Sequence, residues 1–107
     1  MPGIESSILQ ACLVYLSYKP EVYWIRNNSG AAQTIRHGRP GGYIQFGKKG
    51  SPDIVICHNG QYIGLEVKSP TGHQSGDQKQ AEADIRKAGG LYYIIRSVDE
   101  LQRIIEG

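Results

Sequence analysis

Apolar positions first recur at helical spacing. At about 100° per residue, Ile4, Ile8, Cys12, Tyr15 and Leu16 form one stripe, with Leu9 and Leu13 at its edge and Ser6, Ser7 and Gln10 opposite. A helix is predicted from Ile4 to Leu16, broken by Lys19-Pro20, and Val22 to Arg26 then reads as a strand. From Asn27 to Gly50 the chain turns polar and glycine-rich, which predicts a long loop carrying a short strand signal at Tyr43-Ile44-Gln45-Phe46. Structureless loops of that length are uncommon in compact domains and are usually functional or disordered.

The pattern then changes to period two. Ile54-Val55-Ile56-Cys57 and Tyr62-Ile63-Gly64-Leu65 flank Asn59-Gly60, and Asn-Gly between apolar β-branched runs is the strongest short-range hairpin signal. A two-residue turn fixes the register, pairing His58 with Gln61, Cys57 with Tyr62, Ile56 with Ile63, Val55 with Gly64 and Ile54 with Leu65. After a turn from Ser69, Ser75 and Gln78 have capping-box spacing, so a helix opens at Ser75 and runs to Ala88, ended by Gly89-Gly90. Its inward stripe is Ala81, Ile85 and Ala88, and Gln78 continues that stripe. Leu91 to Ile95 is an apolar strand, and a final helix spans Ser97 to Ile105 with Ser97 and Glu100 as a second capping box. A strand, a crossover helix and another strand imply a right-handed unit with parallel pairing. The order α, β, loop, β, β, α, β, α predicts an α/β fold with a mixed β-sheet flanked by helices.

Composition adds bounds. The chain has 107 residues, 39% hydrophobic and 21% charged, enough for one domain with one core over residues 1–107. No apolar run approaches the ~20 residues of a membrane span, and no basic segment precedes an apolar one at the N-terminus. A cytoplasmic protein is expected. Cys12 and Cys57 lie in apolar patterns without partners at zinc-site spacing, so both are read as buried, reduced thiols, and no structural metal is expected.

Charge is distributed unevenly. Net charge is only +2, yet Val22 to Pro52 contains no acidic residue while Arg26, Arg36, Arg39, Lys48 and Lys49 lie within it. Extending the hairpin register one step places Asp53 opposite Glu66, with Lys68 on the same face two residues on. Directly opposed like charges destabilise a sheet, so two carboxylates there call for a positive partner, and a hard divalent cation suits oxygen ligands. A polyanion lying across such a site would meet the basic segment. Two further residues are open to two readings each. Glu5 falls inside the apolar helix stripe, either complementing the helix dipole or turned inward towards a metal. Gln78 either caps its helix or points towards Asp53 and Glu66.

A Pro-Asp at a strand start followed by Glu-Val-Lys on the return strand resembles the PD-(D/E)XK nuclease signature. The wider match, Gly-Ser-Pro-Asp-Ile at 50–54, Glu-Val-Lys-Ser at 66–69, Gln78, the Asn27-Asn28 stretch and the turn from Gly47 to Gly50, resembles the VRR-NUC family of virus-type replication and repair nucleases, in its minimal stand-alone form often found in phages. That resemblance implies a restriction-endonuclease-like core and hydrolysis of phosphodiester bonds dependent on Mg²⁺ or Mn²⁺, with no small-molecule cofactor. By position it implies Glu5, Asp53 and Glu66 as acidic residues around the metal, the Val67 carbonyl as a further ligand, Lys68 as the catalytic lysine and Gln78 as the motif glutamine. Asn27, Asn28, Arg36, Arg39, Lys48 and Lys49 are the expected nucleic-acid contacts. Similar stand-alone proteins act as homodimers on four-way junctions. The expectation is therefore a structure-selective DNA endonuclease acting on branched DNA, in a host cytoplasm if phage-encoded. A less selective flap or duplex nuclease, or a restriction-type enzyme, is the alternative, and a non-catalytic DNA-binding module is a third reading.

Overall fold

The computed structural model describes residues 3–27 and 30–107, so Asn28, expected at the nucleic-acid interface, lies outside the described residues. In chain order the elements are α1 (Ile4–Ser17), β1 (Tyr23–Arg26), β2 (Gly30–Arg36), β3 (Arg39–Phe46), β4 (Ile54–His58), β5 (Gln61–Val67), α2 (Gly76–Lys87), β6 (Leu91–Ile95) and α3 (Val98–Glu106). The fold is α/β, with a four-stranded mixed sheet in the order β1-β4-β5-β6 and a separate two-stranded sheet of β2 and β3. No helix among the described residues is long and apolar enough to cross a membrane.

The β4–β5 hairpin follows from its turn. Asn59 and Gly60 have φ of 53° and 75°, the pair of positive values a type I′ turn requires. All five pairings expected from that turn are present, from His58 with Gln61 out to Ile54 with Leu65. β1 adds antiparallel to β4, and β6 adds parallel to β5 after the α2 crossover.

Strand alternation then assigns the faces. Ile54, Ile56, Ile63, Leu65 and Ile95 share one face and form the core with Cys12 and Leu16 of α1 and Leu101 and Ile105 of α3. The Tyr15 hydroxyl donates to Glu106 at 2.6 Å, tying the ends of those two helices together. α2 covers the opposite face, where Gly64 leaves room for it: an added Cβ would stand 2.6 Å from Pro52 Cγ and 3.3 Å from Ile85 Cδ1.

Three local expectations are corrected. The segment expected as a long loop folds as the β2–β3 ribbon, turning at His37 and Gly38, both with positive φ, with a register shift between Gln33 and Ile35. Each strand carries residues with little strand propensity near its start, Gly30-Ala31-Ala32 in β2 and Pro40-Gly41-Gly42 in β3, so the signal at Thr34-Ile35 and Tyr43-Ile44 is too short to outline the ribbon in the sequence. Among the described residues no helix and no strand of the main sheet makes more than a glancing contact with it. The chain accordingly extends to 54 Å along its longest axis, with a radius of gyration of 15.6 Å against about 13 Å for a compact chain of this length. Cys57 is exposed, because alternation along β4 sends Ile54 and Ile56 to the core and Cys57 to the part of the other face that α2 leaves open; Cys12 is buried as expected. At α3 only half of a capping box forms: Ser97 accepts from the Glu100 amide, but the Glu100 carboxylate accepts from the Arg96 amide at 2.8 Å.

The close contact at Gly64 yields a stability prediction. Gly64→Ala should lower the urea midpoint by an amount equivalent to about 1–3 kcal/mol with the denaturant slope unchanged, since the new methyl must displace the Pro52 ring. A midpoint equal to the parent would show that α2 and the Pro52 turn shift freely.

Candidate functional site

The site is built at the ends of β4 and β5, on the α2 side of the sheet. Ser51 and Pro52 lead into β4, and Asp53 stands one residue before its first ladder pair. The Val67 amide donates to Asp53 Oδ2 at 2.7 Å, and the Asp53 carbonyl accepts from the Asn27 amide at 2.8 Å. Both ends of Asp53 are thus held by backbone.

Glu66, across from it, is the buried charged residue among the described residues, with 1% of its surface exposed. Burial pushes its carboxyl up to about 9, helped by hydrogen bonding to Asp53 and by that carboxylate's negative charge. Lys68 and the Tyr92 hydroxyl, which donates to Glu66 Oε1 at 3.4 Å, pull in the other direction and are outweighed. The two carboxyl groups therefore meet as expected, with the raised Glu66 carboxyl hydrogen-bonded to Asp53. Lys68 acts on Glu66 through its charge, and among the described residues no cation forms a salt bridge with either carboxylate.

The donor set fits a hard divalent cation. It consists of two carboxyl groups of oxygen type, one fixed by a main-chain amide and the other pushed towards its protonated form chiefly by burial and then by its neighbour's negative charge, which a bound cation would offset. A group of three or more His, Cys, Asp or Glu side chains is not formed among the described residues. Glu5 in particular is not brought to the pair. It lies in the exposed first turn of α1, where Ile4 is 65% exposed, because the start of this helix overhangs the core that buries Cys12 and Leu16. The stripe is real, but its first turn has nothing to pack against.

Gln78 closes the capping box. Its amide donates to Ser75 Oγ at 3.2 Å, and its side-chain oxygen accepts from the Ser75 amide at 2.9 Å. Its carboxamide oxygen is thereby committed to the helix start. Asn27 Nδ2 donates to the Pro52 carbonyl at 3.1 Å, so this residue braces the turn that presents Asp53. Arg36 and Arg39 face each other across the ribbon turn, exposed. Lys49 pairs with Asp77 at 3.5 Å on the surface, and Lys48 lines a cavity of about 350 Å³ between α2 and the sheet, beside Pro52, Tyr62 and Ile85. Near the carboxyl pair, the structure also shows Tyr92 and Gln74. Tyr92 sits in an apolar strand and reads as core. Its place beside Glu66 depends on a parallel register across a helix, which no local signal encodes.

The raised carboxyl makes stability depend on pH. Folded Glu66 holds its proton to about pH 9, whereas an unfolded glutamate releases it near 4.5, so the folded state binds more protons in between. In EDTA the urea midpoint should therefore be highest near the acid end of that window and fall as pH rises through it. Glu66→Gln should flatten this dependence. A parent midpoint that rises over the same interval would contradict the assignment.

No protein-family model, no curated protein and no solved structure matches this chain.

Proposed function

We propose that this protein is a metal-dependent endodeoxyribonuclease with a restriction-endonuclease-like core, acting as a homodimer on branched DNA. The observation that carries the reading is the cross-strand carboxyl pair, Asp53 against buried Glu66, with Lys68 on the same strand face two residues on. A sheet that opposes two carboxyl groups at the ends of its two inner strands, one of them buried, keeps them together at a cost that a purely structural strand end would not need.

Asp53, Glu66 and the Val67 carbonyl would hold Mg²⁺ or Mn²⁺, which when bound polarises a phosphate oxygen and acidifies a water. Lys68 supplies a fixed positive charge for the pentacoordinate phosphorus centre, where negative charge builds up. Asp53 needs no reorientation to serve, because the Val67 amide already holds it. Arg36, Arg39, Lys48 and Lys49, with Asn27 and Asn28 nearby in sequence, would grip the phosphate backbone without reading bases. Recognition is then by shape, and binding weakens steeply with salt. Two opposed nicks in a four-way junction require two sites, which a two-fold dimer supplies.

Cleavage of labelled four-way junction, flap and linear duplex in Mg²⁺, Mn²⁺ or EDTA tests this reading. Paired symmetric nicks in the junction are expected, absent in EDTA and in Asp53→Asn. Lys68→Ala should lower the rate by about 10²–10³-fold while leaving junction binding intact. Equal cutting of all three substrates would move the function to a less selective nuclease. Full activity of purified Lys68→Ala would remove the proposed site.

Salt titration of junction binding tests the basic segment. Arg36→Ala and Arg39→Ala should each reduce the slope of log affinity against log salt by about 1, with no change in base preference. Slopes identical to the parent would leave the ribbon tip outside the interface.

A further inference from the structure

A closed ring of hydrogen bonds stands behind Glu66. Gln74 Nε2 lies 3.3 Å from the Tyr92 hydroxyl and 3.0 Å from Glu82 Oε1. Glu82 Oε2 accepts from Arg86 Nε at 3.0 Å, and the Arg86 guanidinium donates to the Tyr92 carbonyl at 2.8 Å. The ring leaves Tyr92 by its hydroxyl and returns to it by its main chain, passing through the β5–α2 connection and two successive turns of α2. Tyr92 is 1% exposed, so its hydroxyl has little access to water.

The ring fixes the direction of every proton in it. Arg86 can only donate, so the Glu82 carboxylate facing it is an acceptor. A carboxylate can only accept from Gln74, which assigns the Gln74 atom between Glu82 and Tyr92 as the amide nitrogen. That nitrogen donates to the Tyr92 oxygen, so the phenolic hydrogen must be used elsewhere, and the acceptor within reach is Glu66 Oε1 at 3.4 Å. Glu66 thus receives a hydrogen bond on Oε1 from behind, beside its hydrogen bond to Asp53.

We propose that Tyr92 and Gln74 are positioning residues that orient the Glu66 carboxylate for a divalent cation, with the Glu82–Arg86 pair setting the polarity of the relay. This rests on the reading of Asp53 and Glu66 as metal-holding residues. It assigns a purpose to an otherwise ordinary surface ion pair on a helix: Glu82 and Arg86 are partly exposed, and an exposed pair at this spacing adds little stability of its own. Groups that hold a ligating carboxylate from behind commonly change metal affinity by about 10–100-fold when removed.

The test is Mn²⁺ binding to the full-length protein by calorimetry, at one fixed neutral pH. Tyr92→Phe removes only the hydroxyl and should weaken Mn²⁺ by about 10-fold with the circular dichroism spectrum unchanged. Gln74→Glu keeps the size but replaces the donor with an acceptor beside Glu82, so the phenolic hydrogen turns away from Glu66. It should weaken Mn²⁺ to a similar extent, and it should add no further loss in the Tyr92→Phe background. A merely structural role would lower stability and leave affinity in place. Mn²⁺ binding by both single variants within twofold of a metal-binding parent would overturn the relay while leaving the carboxyl site standing. A parent that binds no Mn²⁺, or binds it equally after Asp53→Asn, would overturn the site and the relay together.

Discussion

The two-residue turn at Asn59-Gly60 is the constraint on which both the core and the candidate site depend. Its positive φ values close the hairpin without slack, so every pairing from His58–Gln61 to Ile54–Leu65 follows from it. A slip of one residue would send Ile54 and Ile56 to the α2 side and turn the Asp53 position towards the core. The same register that buries the isoleucines therefore opposes Asp53 to Glu66. Core packing and the carboxyl pair are not separate achievements of the sequence, because either arrangement without the other would require a different turn.

The two faces of the sheet divide the energetic roles. On one, α1 and α3 close an apolar core around Ile54, Ile56, Leu65 and Ile95, which supplies the hydrophobic stabilisation. On the other, α2 buries no side chain fully, and its contact with the sheet is polar at one end and a partly open cavity at the other. The Gln74–Glu82–Arg86–Tyr92 ring anchors the polar end. A desolvated glutamate would be an expense in the first core, where no donor is available to it. Beside α2 its oxygens have partners, and no buried side-chain polar atom among the described residues lacks one. Segregating the costly group on the face that contributes least to the core lets the fold tolerate a site that works against its own stability at higher pH.

What could be read from the sequence follows from how local its cause is. The β4–β5 register, the α2 capping box at Ser75 and Gln78, and the span of β6 are set within a few residues, and each stands as the sequence indicates. Exposure of Cys57 and Glu5 depends on where neighbouring elements stop covering a face, and neither an apolar run nor a helix stripe records that. The β2–β3 ribbon is hidden for a different reason: Gly30-Ala31-Ala32 and Pro40-Gly41-Gly42 interrupt its strand formers Thr34, Ile35, Tyr43 and Ile44, and His-Gly is a weaker turn signal than Asn-Gly, although His is among the residues that enter the left-handed region more readily. Of the candidate site, the Asp53–Glu66 pair is a consequence of register and was legible. Tyr92 and Gln74 reach the pair only through parallel pairing and loop closure, and were not.

The ribbon constrains the size of any substrate that uses both basic tip and carboxyl pair. Its first strand begins three residues after Asn27, whose amide bonds to the Asp53 carbonyl at 2.8 Å. Seven strand residues at about 3.3 Å each carry its tip on the order of 20 Å from that strand's start. Screening in physiological salt acts over about 8 Å, so Arg36 and Arg39 exert little force on a phosphate held at Asp53 and Glu66. Their charge is useful only by contact, and contact at both places needs a ligand that spans the interval. A mononucleotide or small phosphate ester cannot do so, whereas a nucleic-acid duplex or branch offers phosphates at both. On the reading proposed here, the distance between ribbon tip and site, rather than the chemistry of the carboxyl pair, is what favours a polymeric polyanion over a small one.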